Sequence, residues 1–316
     1  MNKMSIIIPV RNRELLLGHT LESVSRQQWR PLEVIVVDNG STDSSRTVAE
    51  QWAEKLGASA IEARVISEDN PGAAGARSRG AEESTGDVLS FFDSDDTMRP
   101  QFSTEIMKRF SADNRTELVF WQRAYHSSHG SVSLMKWQDK LTVAGHIAHS
   151  QLSTQSCALR RSLYDRSGGW NRELSYWDDW ELGIRYITAL RSLEAPTVVP
   201  IKQELVDVYG QTDSITGIGY LHAEKAARKA LAAAHDEAER HGGDEMVRLR
   251  RLLACKEAVL AAHYAREGGT EESRLMMEDA LRHAGSQWAR GVVKAMYEYT
   301  RRGLRGAFSW GIPLLR

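Results

Sequence analysis

Cysteine is scarce, with Cys157 and Cys255 the only two in 316 residues. Two thiols cannot build a disulfide framework, and no Cys/His arrangement has the spacing of a structural zinc site, so a reducing cytoplasm is the expected setting. Charge of one sign is missing as well. The 41 Lys and Arg nearly balance the 42 Asp and Glu, leaving a formal net charge of -1. No global field then draws in nucleic acid, and none is expected as a partner. Long apolar runs are also absent: none reaches the ~20 residues of a membrane span, and residues 1–9 are too briefly apolar for a signal peptide. The expectation is a soluble protein, at most peripheral at the inner face of a membrane.

What is present, 41% hydrophobic and 26% charged residues, is the composition of a folded globular chain. Its length suits one large α/β domain and a smaller appendage. Short β-branched runs at residues 5–10, 33–37, 63–66 and 88–92 read as buried strands. Helical patterns separate them at 14–27, with Leu17, Leu21 and Val24 on one face, at 44–56 and at 73–84. The alternation predicts a Rossmann-type, mostly parallel sheet flanked by helices, with ligands collecting beyond the carboxyl ends of the strands. Residues 97–208 lose this regularity and predict loops and mixed strands. After Tyr220 the chain turns to alanine, leucine and alternating charge, a helical appendage in which Asp244 and Thr270 are the expected N-caps. The expected division is 1–218, with halves 1–96 and 97–218, followed by 219–316.

Asp93-Ser94-Asp95-Asp96 directly follows the strand at 88–92, which delivers three carboxylates to the ligand-binding edge. Clustered carboxylates repel unless protons or a cation join them. Mg²⁺ or Mn²⁺ takes oxygen ligands and shares them with substrate phosphates. On the residues alone, an Asp-rich turn capping backbone amides accounts for the cluster equally well.

Four segments occur in order: Ser5-Ile-Ile-Ile-Pro-Val-Arg-Asn12, Val36-Val-Asp-Asn-Gly-Ser-Thr-Asp43, Asn70-Pro-Gly-Ala-Ala-Gly-Ala-Arg-Ser-Arg-Gly80 and Phe92-Asp-Ser-Asp-Asp96. Together they resemble the nucleotide-sugar-binding half of family 2 glycosyltransferases, which have the GT-A fold. The resemblance implies a metal-dependent, inverting transferase of polysaccharide biosynthesis, using a nucleotide-sugar donor, a uridine diphosphate sugar foremost. By that match Pro9, Val10 and Arg11 line the nucleoside pocket. Asp38 accepts from the base or ribose, beside Asn39 where the family usually has a second Asp. Arg77 lies over the base or diphosphate. Asp93 and Ser94 belong to the DxD turn, with Asp93 holding the ribose or helping to orient the metal and Asp95 its direct ligand.

Further on, Gly168-Gly-Trp-Asn171 and Tyr176-Trp-Asp-Asp-Trp-Glu-Leu182 resemble the family's glycine-glycine-aromatic turn and the acidic pair opening its next helix. Asp179 is then the general base and Asp178 its neighbour, while Trp170, Trp177 and Trp180 suit stacking against the acceptor. Helix capping by Asp179 is the plainer alternative. Residues 208–216 look like the segment that closes over the donor, with Gln211 or Thr212 where many relatives place a histidine near the metal. The Gln-x-x-Arg-Trp signature of processive members does not occur, which favours single transfers.

His146-Ile-Ala-His149 has helical ligand spacing without the Glu of a metalloprotease. The last stretch carries Arg290, Lys294, Arg301, Arg302, Arg305 and Arg316 among Trp288, Tyr297, Tyr299, Phe308 and Trp310. That mixture suits either a membrane interface, reaching a lipid-linked acceptor, or a solvated helix with a packed aromatic face. Two rivals to the transferase stand: a nucleotidyltransferase, which would need a lysine-bearing glycine loop after the first strand, and a scaffold working through the helical region.

Overall fold

The computed structural model describes residues 2–57, 60–134, 140–210 and 219–315. It contains two compact units, one of Met1–Leu141, Leu152–Leu182 and Tyr186–Thr212, the other of Thr142–Gln151, Gly183–Arg185 and Asp213–Arg316.

The first unit opens with β1 (Met4–Val10), α1 (Leu17–Ser25), β2 (Leu32–Asp38), α2 (Ser45–Leu56), β3 (Ile61–Ser67), α3 (Ala73–Glu83) and β4 (Val88–Phe91). Each of these was legible as a strand or helix from its apolar period. β1 pairs in parallel with β2 and β4, and β2 with β3. Every residue of β1 and β2 is buried, as expected for strands covered on both faces, whereas in β3 at the edge only Ile61 is fully buried and the others are partly or fully exposed.

The irregular middle region supplies the other half of the same sheet. It comprises β5 (Thr97–Met98), α4 (Phe102–Ala112), β6 (Thr116–His126), β7 (Val132–Leu134), β8 (Cys157–Arg160), α6 (Arg161–Arg166), α7 (Asp178–Leu190) and β9 (Thr197–Tyr209), with α5 (Val143–His149) between β7 and β8. Among the described residues the order is β3-β2-β1-β4-β8-β6-β9-β5, with β7 attached to β6. β8 runs antiparallel to both β4 and β6, and β6 runs parallel to β9 across several register shifts.

The main core gathers Leu17, Leu21 and Val24 of α1 and Phe102, Ile106 and Phe110 of α4 with Ile6, Ile8, Val34 and Val36 of β1 and β2, α4 packing on the β6 and β9 part of the sheet. On the opposite face α3 packs so closely that a Cβ placed on Gly80 would overlap Ile7 and Val37. The loops after β1 and β2 are laced together: Thr42 N donates to Asn12 Oδ1 at 2.8 Å, Arg13 N to Ser45 Oγ at 2.7 Å and Ser44 N to Glu14 Oε2 at 2.9 Å.

The second unit is built on α8 (Glu224–His241), α9 (Gly243–Arg266), α10 (Thr270–Ala284), α11 (Gln287–Arg301) and α12 (Ala307–Gly311). Its core is rich in small residues, Ala254, Ala258, Ala280, Ala284 and Ala289 among them, which lets the helices approach closely. α5, drawn from the middle of the chain, joins this unit by packing on α9. His146 on α5 is fully buried against Gly183, a packing role. The expected N-caps fall one or two residues inside their helices: Asp244 lies in the first turn of α9 behind Gly242, and Thr270 opens α10 behind Gly269. As first-turn residues they make no cap, although the acid of Asp244 still complements the helix dipole. Tyr297, Tyr299, Phe308 and Trp310 pack against the helical core, while Trp288 is 65% exposed.

Gly80→Val should overpack the interface of α3 with the sheet and lower stability by roughly 1–3 kcal/mol. Urea unfolding monitored by circular dichroism measures this, and an unchanged midpoint would show slack between α3 and Ile7.

Candidate active site

Three strand ends of the first unit converge on one edge of the sheet. Val10 ends β1 beside Asp38, which ends β2, and Phe92 N extends β4 by donating to Ile7 O at 2.9 Å, so the acidic turn starts beside β1. Pro9 and Val10 are buried within β1, and Arg11 is exposed just past its end. Asp38 is buried and accepts from Ser41 N at 3.3 Å.

Asn39 is also buried, and its amide is fully engaged. Nδ2 donates to Glu68 O at 2.8 Å and Asn70 O at 2.7 Å, and Oδ1 accepts from Gly72 N at 2.8 Å. An ionised aspartate has no N–H to give, so the amide is what this position requires. Asn39 thereby fixes the loop that leads into α3.

α3 carries Arg77 into the site. Its Nη2 donates to Asp93 Oδ1 and its Nη1 to Asp178 Oδ2, each at 2.8 Å. The guanidinium lies over the Trp170 ring, 4.7 Å from its centre, a cation–π contact. Burial disfavours its charge, but Asp178 and Asp93 outweigh that and hold the group firmly protonated.

Of the acidic turn, Ser94 is buried. Asp93 and Asp95 retain side-chain exposures of 30% and 22%, and Arg13 Nε stands 3.5 Å from Asp95 Oδ2. Asp96 faces inward, accepting from Tyr209 N at 2.9 Å and from Gln155 Nε2. Burial, with Asp93 and Asp95 nearby, pushes the Asp96 carboxyl up to about 8. Asp96 therefore anchors the turn to β9 and to the segment before β8. An all-oxygen pair with residual exposure, Asp93 and Asp95, in a neighbourhood where carboxylates outnumber guanidinium groups, fits a hard divalent cation.

Asp178 and Asp179 begin α7. The residue before them, Trp177, has φ 56°, a left-handed conformation unusual for a bulky side chain. Asp179 Oδ1 accepts from Trp180 N at 2.7 Å and Oδ2 from Thr154 N at 3.4 Å. The carboxyls of both acids are raised, mainly by burial, and the neighbouring Asp178 helps push Asp179 up to about 6. Trp177 occupies the N-cap position, so Asp179 lies inside the first turn and is not the capping residue.

Trp180 is only 1% exposed and Trp170 5%. Trp170 lies beneath Arg77 and Trp180 beside Trp177, with centroids 5.3 Å apart, so neither ring offers an open stacking face, a correction to the expectation for both. Trp177, half-buried and stacked on Tyr176 with centroids 5.3 Å apart, is the ring of the three that reaches the surface.

Several participants had no motif to reveal them. Arg123 on β6 interacts electrostatically with Asp179, Asp96 and Asp93, and donates to Ser153 Oγ; burial lowers its pKa. Gln155 is recognisable only through the pairing of β8 with β4 and β6. Gln211 and Thr212 lie outside the described residues.

Comparison with known proteins is consistent with this geometry. The chain is 37% identical over 106 residues to the uncharacterized glycosyltransferase YibD of Escherichia coli (strain K12), a match covering 34% of this chain and 30% of that protein's length. It is 29% identical over 187 residues to a PGL/p-HBAD biosynthesis glycosyltransferase of Mycobacterium tuberculosis (strain ATCC 25177 / H37Ra), covering 57% of this chain and 68% of the relative. In fold it is similar to S. aureus TarS 1-349 in complex with UDP-GlcNAc, with TM-score 0.67, 16% identity and coverage of 99% and 90% of the two chains. It is similar also to the mannosyltransferase PcManGT from Pyrobaculum calidifontis in complex with GDP-Man and Mn²⁺, with TM-score 0.58, 16% identity and coverage of 99% and 85%. The model of glycosyl transferase family 2 matches residues 5–169, more than half of the chain, from the second residue of β1 through β4 and the acidic turn: the chain belongs to glycosyl transferase family 2 and has the GT-A fold.

Proposed function

We propose that this glycosyltransferase moves one sugar at a time, with inversion, from a nucleoside diphosphate to a hydroxyl of a glycan or lipid-linked acceptor. The observation that carries the reading is the Arg77 bridge, which holds Asp93 of the donor-side turn and Asp178 of the α7 acidic pair on one guanidinium. The solved structures similar in fold hold UDP-GlcNAc in one case and GDP-Man with Mn²⁺ in the other, which supports a nucleotide-sugar donor; we take it to be a uridine diphosphate sugar.

In this reading Pro9, Val10, Arg11, Asp38 and Asn39 bound the nucleoside site, with Asp38 accepting from base or ribose. Asp95 and Asp93 would hold a divalent cation, Mn²⁺ or Mg²⁺, whose charge stabilises the departing diphosphate. Asp179 takes the proton from the acceptor hydroxyl as that oxygen forms its bond to the anomeric carbon. The bond from that carbon to the diphosphate breaks on the opposite side, and the diphosphate leaves with the electron pair. Attack and departure on opposite faces invert the anomeric centre. A raised pKa brings Asp179 closer to the working pH, where a general base is most effective. Arg77 acts as a positioning residue, and Trp177 offers the reachable aromatic face for the acceptor.

Asp95→Ala should lower cation-dependent release of UDP from a uridine diphosphate sugar by ~10²-fold or more; unchanged turnover would refute the ligand assignment. Asp179→Asn should keep donor affinity, read by calorimetry, while transfer falls ~10²–10⁴-fold; full transfer by this variant moves the base elsewhere. Because the base must be ionised and its pKa is raised, kcat/KM should climb with pH through about 6. A pH profile flat down to the ordinary aspartate range of about 4 would remove Asp179 from that role.

A further inference from the structure

The helical unit gathers a second set of ligand-type side chains with a different chemistry. His235 on α8, Glu257 on α9 and His283 on α10 converge so that their candidate ligand atoms all lie within 4.8 Å of one another. Glu257 is 2% exposed. His235 Nε2 is 3.0 Å from its Oε1, and His283 Nδ1 is 3.0 and 2.9 Å from its two oxygens. The two imidazole rings lie 3.8 Å apart, tilted by 38°.

A tetrahedral ion with bonds of about 2.0–2.1 Å keeps its ligand atoms roughly 3.3 Å apart. The two His–Glu spacings are already near that value, and the His–His spacing lies within 4.8 Å. The cluster opens on a cavity of about 370 Å³, which Arg228, Asp236 and Asp279 also line. Arg228 is occupied by Asp279, at 2.7 Å, and by Glu224, so the cavity wall stays acidic. Solvent access provides an entry path and a fourth coordination position.

We propose that His235, Glu257 and His283 form a binding site for one first-row divalent cation, with zinc the best match, and that the bound ion ties α8, α9 and α10 together. Two imidazoles and a carboxylate suit zinc and its neighbours, whereas Mg²⁺ and Ca²⁺ favour all-oxygen shells. The site therefore differs in ligand chemistry from Asp93 and Asp95, and the inference does not rest on the proposed transfer reaction.

The test uses the full chain stripped of metal and titrated with Zn²⁺ by calorimetry, as wild type and as the His235→Gln, His283→Gln and Asp95→Asn variants. One zinc equivalent should persist in Asp95→Asn. In either histidine variant it should weaken by more than the roughly 10–100-fold that loss of an outer-shell partner costs. Equal zinc affinity in wild type and both histidine variants overturns the proposal. X-ray absorption at the zinc edge of the wild-type protein needs no variant: two imidazole nitrogens in the first shell are expected, and an oxygen-only shell overturns the assignment.

Discussion

The Arg77 guanidinium, shared between Asp93 and Asp178, is the contact on which the site depends. It joins residues 101 and 16 positions away from itself along the chain, and so brings the turn after β4 and the start of α7 to a common centre. A buried charge of this kind is tolerated only in company, since removing one partner strands the others. The stack over the buried Trp170 ring covers one face of the guanidinium. Asp93 and Asp178 are held in place by that single planar group.

Electrostatically the site is crowded. Asp93, Asp95, Asp96, Asp178 and Asp179 share it with Arg13, Arg77 and Arg123, and burial, with neighbouring carboxylates adding to it, raises the pKa values of Asp96, Asp178 and Asp179. The residues divide by environment. Asp96 is turned inward and spent on Gln155 and Tyr209, whereas Asp93 and Asp95 keep access to solvent. Identical side chains within one four-residue turn thus have different surroundings, set by burial.

How much of this was legible beforehand follows from the range of the interactions. β1 to β4 and α1 to α3 write their burial into local periods of two and of 3.6 residues, and the acidic turn is announced by the strand before it. β6, β8 and β9 are not so announced, because antiparallel insertion and register shifts in the β6–β9 ladder break the simple alternation. Arg123 and Gln155 reach the site through that part of the sheet, so no motif marks them. Asn39 was visible as a departure from the family pattern, but its reason lies in carbonyls about 30 residues on. Trp170 and Trp180 had the right composition for sugar stacking and turned out to be covered, a fact of packing that sequence spacing does not encode. In the helical unit, alternating charge and glycine pairs located the helices, while the meeting of His235, Glu257 and His283 depends on how three of them are wound together.

Gly80 sits one turn beyond Arg77 on α3 and touches none of the carboxylates, yet the absence of its side chain sets how deep that helix rests on Ile7 and Val37. The helix behaves as a lever whose fulcrum is this bare backbone, and the guanidinium is its working end. Any side chain at the fulcrum would lift the lever and pull both 2.8 Å contacts out of register together. The alignment of Asp93 with Asp178 is therefore controlled from the back of the sheet, by a residue with no functional group of its own.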